Sequence, residues 1–310
     1  MTKTIETTEI PTAHIFGPGS GYRWNPVKGC DNKKCHLHPI NSGKCFAAGI
    51  CRRFAGPFAE SEVNLWMEVA IHNLKNEKKR RENEIKKKFE EFKPTWLESQ
   101  FQKRFPKNRA SILVDYMTDI AYIYPQWVKK IIGRIKEDNK ERKEAGLKPH
   151  VFQFLTKNPA VYSRFEWPEN CWLGFTATNQ GEFNERTLII HDSLTTTTKE
   201  GISLLNALFY AYLEPLEENI GLNDNQEIFV KNWLKWIVVG GGPNPLNLEW
   251  VRSIRGQCQA ASIPFYFKQW GEFYPIWDPI EKKYIYIKRR KKVNGNVLDG
   301  QKWELFPGVT

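Results

Sequence analysis

The sequence has no apolar run long enough to cross a membrane, and no signal-type apolar core between Met1 and Thr12. These absences point away from a membrane partner and place the expected location in the cytoplasm. Acidic residues are in short supply too. Against 46 Lys and Arg stand 35 Asp and Glu, for a formal net charge of +11 and an isoelectric point near 9.2. That balance favours a polyanionic partner, DNA or RNA, with a merely solvated basic surface as the plain alternative. Disorder is excluded by the 41% hydrophobic and 14% aromatic content. A chain of 310 residues can bury a large core, as one large domain or as a domain with an insertion.

What is present is a crowd of thiols. Four of the six cysteines, Cys30, Cys35, Cys45 and Cys51, fall in one short segment, interleaved with His36 and His38. Disulfides suit an intracellular chain poorly. Clustered soft ligands on a loop suit zinc or an iron–sulfur cluster, because thiolates donate strongly to both. Three cysteines would leave one iron of a [4Fe–4S] cluster open. A fourth ligand from Cys51, His36 or His38 would instead close a tetrahedral zinc site.

Around that loop the hydrophobic pattern is regular. Gly21 to Val27 reads as a first strand, stopped by Asn25-Pro26. Apolar runs then begin near residues 112, 151, 172, 208, 236 and 264, separated by helix-length stretches that include Trp127 to Ile135 and Trp250 to Ala261. Continuous apolar runs of this kind are buried parallel strands in βα units. The expected fold is α/β, a complete or partial (β/α) barrel, formed by residues 1–310 as a single domain. Residues 55–110 read as a basic helical insertion broken by Pro94 and Pro106, and 273–310 as a C-terminal extension. In such folds chemistry gathers at the carboxyl ends of strands. Those ends carry Asp115, Thr118 and Asp119, then Lys157, then Thr178 and Asn179, then Glu214, then Gly240 to Gly242, and finally Lys268 and Gln269. Plain roles compete: Asp119 can cap a helix and Lys157 can form a surface ion pair. Positive charge is concentrated at Lys75–Lys88, where glutamates offset part of it, and at Lys288–Lys292, where the sequence shows no such offset.

Several stretches carry a resemblance: WNPVKGC at 24–30, KCFA at 44–47, ILVDYMTD at 112–119, FQFLTKNP at 152–159, WLGFTATN at 172–179, YLEPL at 212–216 and WIVVGGG at 236–242. Two more are the block from Glu249 to Glu272, ending in FKQWGE, and LDGQKWELFP at 298–307. Through them the chain resembles a phage-associated family of radical-SAM-like three-cysteine proteins. The loop departs from the close cysteine spacing of that family, and its four-then-nine spacing is similar to that of elongator-type radical SAM enzymes. Gly242 stands where relatives carry glutamate. The resemblance implies a barrel of the radical SAM type and a [4Fe–4S] cluster on Cys30, Cys35 and Cys45. It also implies S-adenosylmethionine on the open iron, an electron donor, and release of a 5′-deoxyadenosyl radical. Cofactor contacts would come from Asp115, Thr178, Asn179, Glu214, Gly240, Gly241 and Lys268. The rival expectation, from another class, is a zinc-stabilised nucleic-acid-binding protein without catalysis.

Overall fold

The computed structural model describes residues 3–32, 45, 48, 92–195, 204, 207–222 and 227–308. The chain divides into two compact units. One comprises Met1–Glu6, Arg23–Pro106 and Val114–Arg134, and the other Thr7–Tyr22, Lys107–Leu113 and Ile135–Thr310. No described helix is long and apolar enough to cross a membrane.

In chain order the strands are β1 (Glu6–Thr7), β2 (Gly21–Trp24), β3 (Val27–Lys28), β4 (Thr95–Trp96), β5 (Ser111–Val114), β6 (Val151–Thr156), β7 (Cys171–Thr176), β8 (Leu208–Leu213), β9 (Leu234–Gly240) and β10 (Phe265–Gln269). After these come β11 (Phe273–Asp278), β12 (Lys283–Lys288), β13 (Val297–Leu298) and β14 (Gln301–Lys302). The helices are α1 (Glu98–Phe101), α2 (Pro125–Glu144), α3 (Gln180–Thr195), α4 (Glu227–Asn232), α5 (Leu248–Ala260) and α6 (Lys291–Asn294).

The main sheet has eight strands in the order β1-β2-β5-β6-β7-β8-β9-β10. The five successive pairings from β5 to β10 are all parallel. The expected strand starts fall within two residues of the observed ones. The reason is physical. Strands such as Cys171–Thr176 and Leu234–Gly240 are buried nearly throughout, and the sequence marks that as an unbroken apolar run. The fold is therefore α/β with a large, mostly parallel sheet.

One face of the sheet in the larger unit is aromatic. Trp172, Tyr210, Trp236 and Tyr266 pack together there with Val151 and Val238, and Phe306 packs against them. Gly174 makes room: a Cβ on it would stand 2.2 Å from the Tyr210 ring, which is held by an O–H donated to Phe154 O at 2.8 Å. Beyond β10 the chain forms the antiparallel hairpin β11–β12 and the short pair β13–β14. The turn of that pair, Asp299-Gly300, has φ of +52° and +80°. Positive φ at both positions is what a two-residue hairpin turn requires. The tail then runs antiparallel along β10: the Phe267 N–H donates to Trp303 O at 2.7 Å, and the Leu305 N–H to Phe265 O at 3.2 Å. An open sheet edge is a template for aggregation, and this segment covers it.

In the smaller unit β3 pairs antiparallel with β4. Trp24, at the end of β2, is buried between Phe101 and Phe105, and its indole N–H donates to Gln100 O at 3.1 Å. Most of the helical stretch expected at 55–110 lies outside the described residues. Its described end is not a continuing helix: it carries β4 and the single turn α1. Trp96, Phe101 and Phe105 supply an aromatic cluster there, and Pro94 has no N–H to donate to a helix passing through it.

Candidate metal and cofactor sites

In the smaller unit the geometry is built around Gly29-Cys30. Gly29 has φ of +81°, and a Cβ on it would lie 2.3 Å from Lys93 O. Only glycine fits that turn. The turn presents Cys30, whose N–H donates to Phe92 O at 2.8 Å. Cys30 and Cys45 both pack against a buried cluster of Ala48, Phe92 and Met117, together with Tyr116. Burial pushes the Cys30 thiol up to about 12, and the Asp119 carboxylate and Cys45 add to it. The Asn32 N–H meets Cys30 Sγ at 3.4 Å. Thus the structure brings two of the three expected thiol ligands into one pocket of contacts, with a carboxylate beside them. Cys35, like Cys51, His36 and His38, lies outside the described residues. Among the described residues alone no set of three metal-binding side chains is assembled.

Asp115, at the end of β5, ties this unit together. Its N–H donates to Trp24 O, and its Oδ1 accepts the Val27 N–H, each at 2.9 Å. Its φ is +51°, a left-handed conformation that Asp tolerates better than most residues. Burial drives the carboxyl well above the usual range. Its Oδ2 is buried with no hydrogen-bond partner among the described residues, as are Asn25 Oδ1, Asn32 Oδ1 and Thr118 Oγ1. Four such atoms on the segments that follow β2 and β5 are unusual, because buried polar atoms are nearly always satisfied. Sequence reasoning named Asp115 and Thr118 from their strand-end position. It passed over Asn25 and Asn32, which only their closeness to the cysteines could have signalled. Asp119 does cap a 3₁₀ turn, accepting the Ala121 N–H at 3.1 Å.

In the larger unit Glu214, Gly240, Gly241 and Lys268 come together. Lys268 Nζ lies 2.7 Å from Glu214 Oε2, and Gln269 Nε2 donates to Glu214 Oε1 at 2.7 Å and to Gly241 O at 2.6 Å. Burial alone would raise Glu214, but Lys268, Lys291 and the Gln269 hydrogen bond outweigh it and hold the carboxyl below its usual range. Burial likewise works against the Lys268 ammonium, and Tyr212 and Glu214 together raise it. Lys268 also lies 5.0 Å from the Tyr212 ring centre. The glycines serve the protein's own packing here. A Cβ on Gly241 would stand 2.0 Å from Trp270 O, one on Gly242 2.6 Å from Pro215 Cβ, and one on Gly240 3.0 Å from Glu214 Cδ.

Thr178 and Asn179 form the cap of α3. Asn179 Oδ1 accepts the Glu182 N–H at 2.8 Å, and Glu182 Oε2 accepts the Thr178 N–H at 2.9 Å. This reciprocal pairing is a capping box shifted by one residue. Arg186 holds the same Glu182 carboxylate at 2.9 Å.

The basic run at 288–292 is partly neutralised, contrary to expectation. Lys288 pairs with Glu272 at 3.2 Å and Lys291 with Glu214 at 3.6 Å. Both acids lie far off in sequence, so no local charge count could find them.

No curated protein and no solved structure matches the chain. The family model described as a protein of unknown function, DUF5131, matches residues 20–307, and the chain belongs to that family.

Proposed function

We propose that the protein is a radical S-adenosylmethionine enzyme with a [4Fe–4S] cluster held by Cys30, Cys45 and Cys35. The observation that carries this reading is the packing of the half-buried Cys30 and Cys45 against the same buried residues, Phe92 and Met117. Supporting it are the buried, unpartnered oxygens of Asp115, Asn25, Asn32 and Thr118 in the same unit. The residues fit the group: soft thiols in an apolar wall suit a cluster, and spare polar atoms, donors and acceptors both, suit the polar parts of a bound nucleoside or amino acid. When bound, the cluster supplies one-electron reductive cleavage of the sulfonium.

The chain's own residues do the rest. Gly29 sets the backbone that presents Cys30. Met117, Phe92 and Ala48 form an apolar wall against the two half-buried thiols. Asp115, favouring its protonated form, offers an O–H donor at Oδ2 to a ligand acceptor. The parallel sheet is the scaffold of a complete or partial barrel. The Asp119 carboxylate beside Cys30 favours a second reading, a zinc site with mixed sulfur and oxygen ligands.

Anaerobic reconstitution separates the two. The expected protein is brown, holds four irons with matching sulfide, and forms 5′-deoxyadenosine when reduced with S-adenosylmethionine. Cys45→Ala should abolish iron binding, while Cys171→Ala and Cys258→Ala, buried in β7 and α5, should retain it. A colourless protein carrying one tight zinc would overturn the cluster. Iron kept by Cys45→Ala and lost by Cys171→Ala would overturn the ligand assignment.

A further inference from the structure

From Lys282 to Lys292, seven of eleven residues are Lys or Arg and none is acidic. This run forms the second strand of the β11–β12 hairpin and the start of α6. One face of the hairpin rests on α5: the Leu248 N–H donates to the Tyr286 hydroxyl at 3.1 Å, and the Arg252 guanidinium lies 5.6 Å from the Tyr284 ring centre. On that same face Trp277 opposes Tyr284 across the ladder, and the two rings meet edge-on at 5.2 Å. Trp277 is nevertheless 50% exposed. On the other face Arg289 lies over Tyr274 at 5.6 Å. Lys283, Lys288 and Lys291 have acidic partners, but among the described residues Arg290 and Lys292 have none.

We infer that this hairpin binds single-stranded nucleic acid, with Trp277 stacking on an unpaired base and Arg290 and Lys292 neutralising phosphates. Seven cations follow one another from the hairpin turn through β12 into α6, and a polyanion is the partner that such a surplus of positive charge attracts. The single strand follows from the aromatics. The half-exposed Trp277 indole leaves part of its ring open to solvent, and beside a run of cations an unpaired base is the group whose flat face stacks on it. The inference does not rest on the cluster, and its test reads binding alone.

The experiment measures the anisotropy of a labelled, mixed-sequence oligonucleotide, as DNA and as RNA, single-stranded and duplex, over a range of salt with the full chain. Arg290→Glu combined with Lys292→Glu should flatten the salt dependence by about 1.4 log units per log unit of salt, the effect of two single-strand phosphates. Trp277→Ala should weaken single-strand binding by about one to two orders of magnitude and leave the salt slope unchanged. Trp277→Phe, which keeps a ring, should restore most of the loss. An unchanged slope in the double reversal would sink the phosphate assignment. Equal affinity for duplex and single strand, or no effect of Trp277→Ala, would sink the stacking role. Binding to anionic lipid vesicles without binding to any oligonucleotide would overturn the inference as a whole.

Discussion

Two carboxyls in this chain carry opposite signs of pH dependence. Asp115 is buried, with no cation beside it among the described residues, so its folded pKa lies above the unfolded value of about 3.9. Its contribution to stability is present in full below that value and is lost as pH rises. Asp115→Asn keeps an oxygen for the Val27 N–H and removes the titration. In the absence of added cofactor, the variant should gain stability over the parent as pH is raised from 5 to 8, read as a shift in urea midpoint at each pH. Glu214 behaves in reverse. Its folded pKa is depressed, so its contribution is present above an unfolded value of about 4.3 and fades as pH falls through the folded one. Glu214→Gln leaves Lys268 partly buried without its carboxylate, at a cost of about 3 kcal/mol near neutral pH. The gap to the parent should narrow in acid. A gap that stays constant between pH 6 and pH 3 would show that the pair does not titrate as the geometry requires.

At the scale of elements, the sequence was most legible where burial is two-sided. Val151–Thr156, Cys171–Thr176 and Leu234–Gly240 are almost wholly buried, and their apolar runs locate them within two residues. Polar residues at strand ends were also found readily, since Asp115, Glu214 and Lys268 interrupt those runs abruptly. Their roles were less legible, because partners come from elsewhere in the chain. Gln269 reaches Glu214 across 55 residues, and Lys291 reaches it from beyond the β11–β12 hairpin. The glycine triplet, expected to give a cofactor room, makes room for Trp270 and Pro215, a packing role that strand-end position does not signal. The LDG and FP motifs of the tail are likewise structural: Asp299 holds Arg252 and Arg255, and Phe306 packs on Trp236 and Tyr266. Gly174 offers a direct check on the aromatic face. Gly174→Ala forces a methyl into the Tyr210 ring and should cost about 1–3 kcal/mol in denaturant unfolding. Combining it with Tyr210→Phe, which frees the ring from Phe154 O, should recover part of that loss.

At the scale of the whole molecule, the pattern of apolar runs foretold the α/β class, but not the division into two compact units. Strand and helix periodicity is a local signal, whereas a division into units follows from which distant segments touch. The covered edge of β10 has a consequence of this non-local kind for chain continuity. The turn between β11 and β12 is exposed, with Ile280 at 87%, while the chain beyond it returns to β10 through Trp303 and Leu305 and lodges Phe306 among the aromatics. The peptide bonds of that turn therefore do not hold the sheet together. A chain nicked there would remain a single particle, its last fragment kept in place as a non-covalent strand until denaturant releases it.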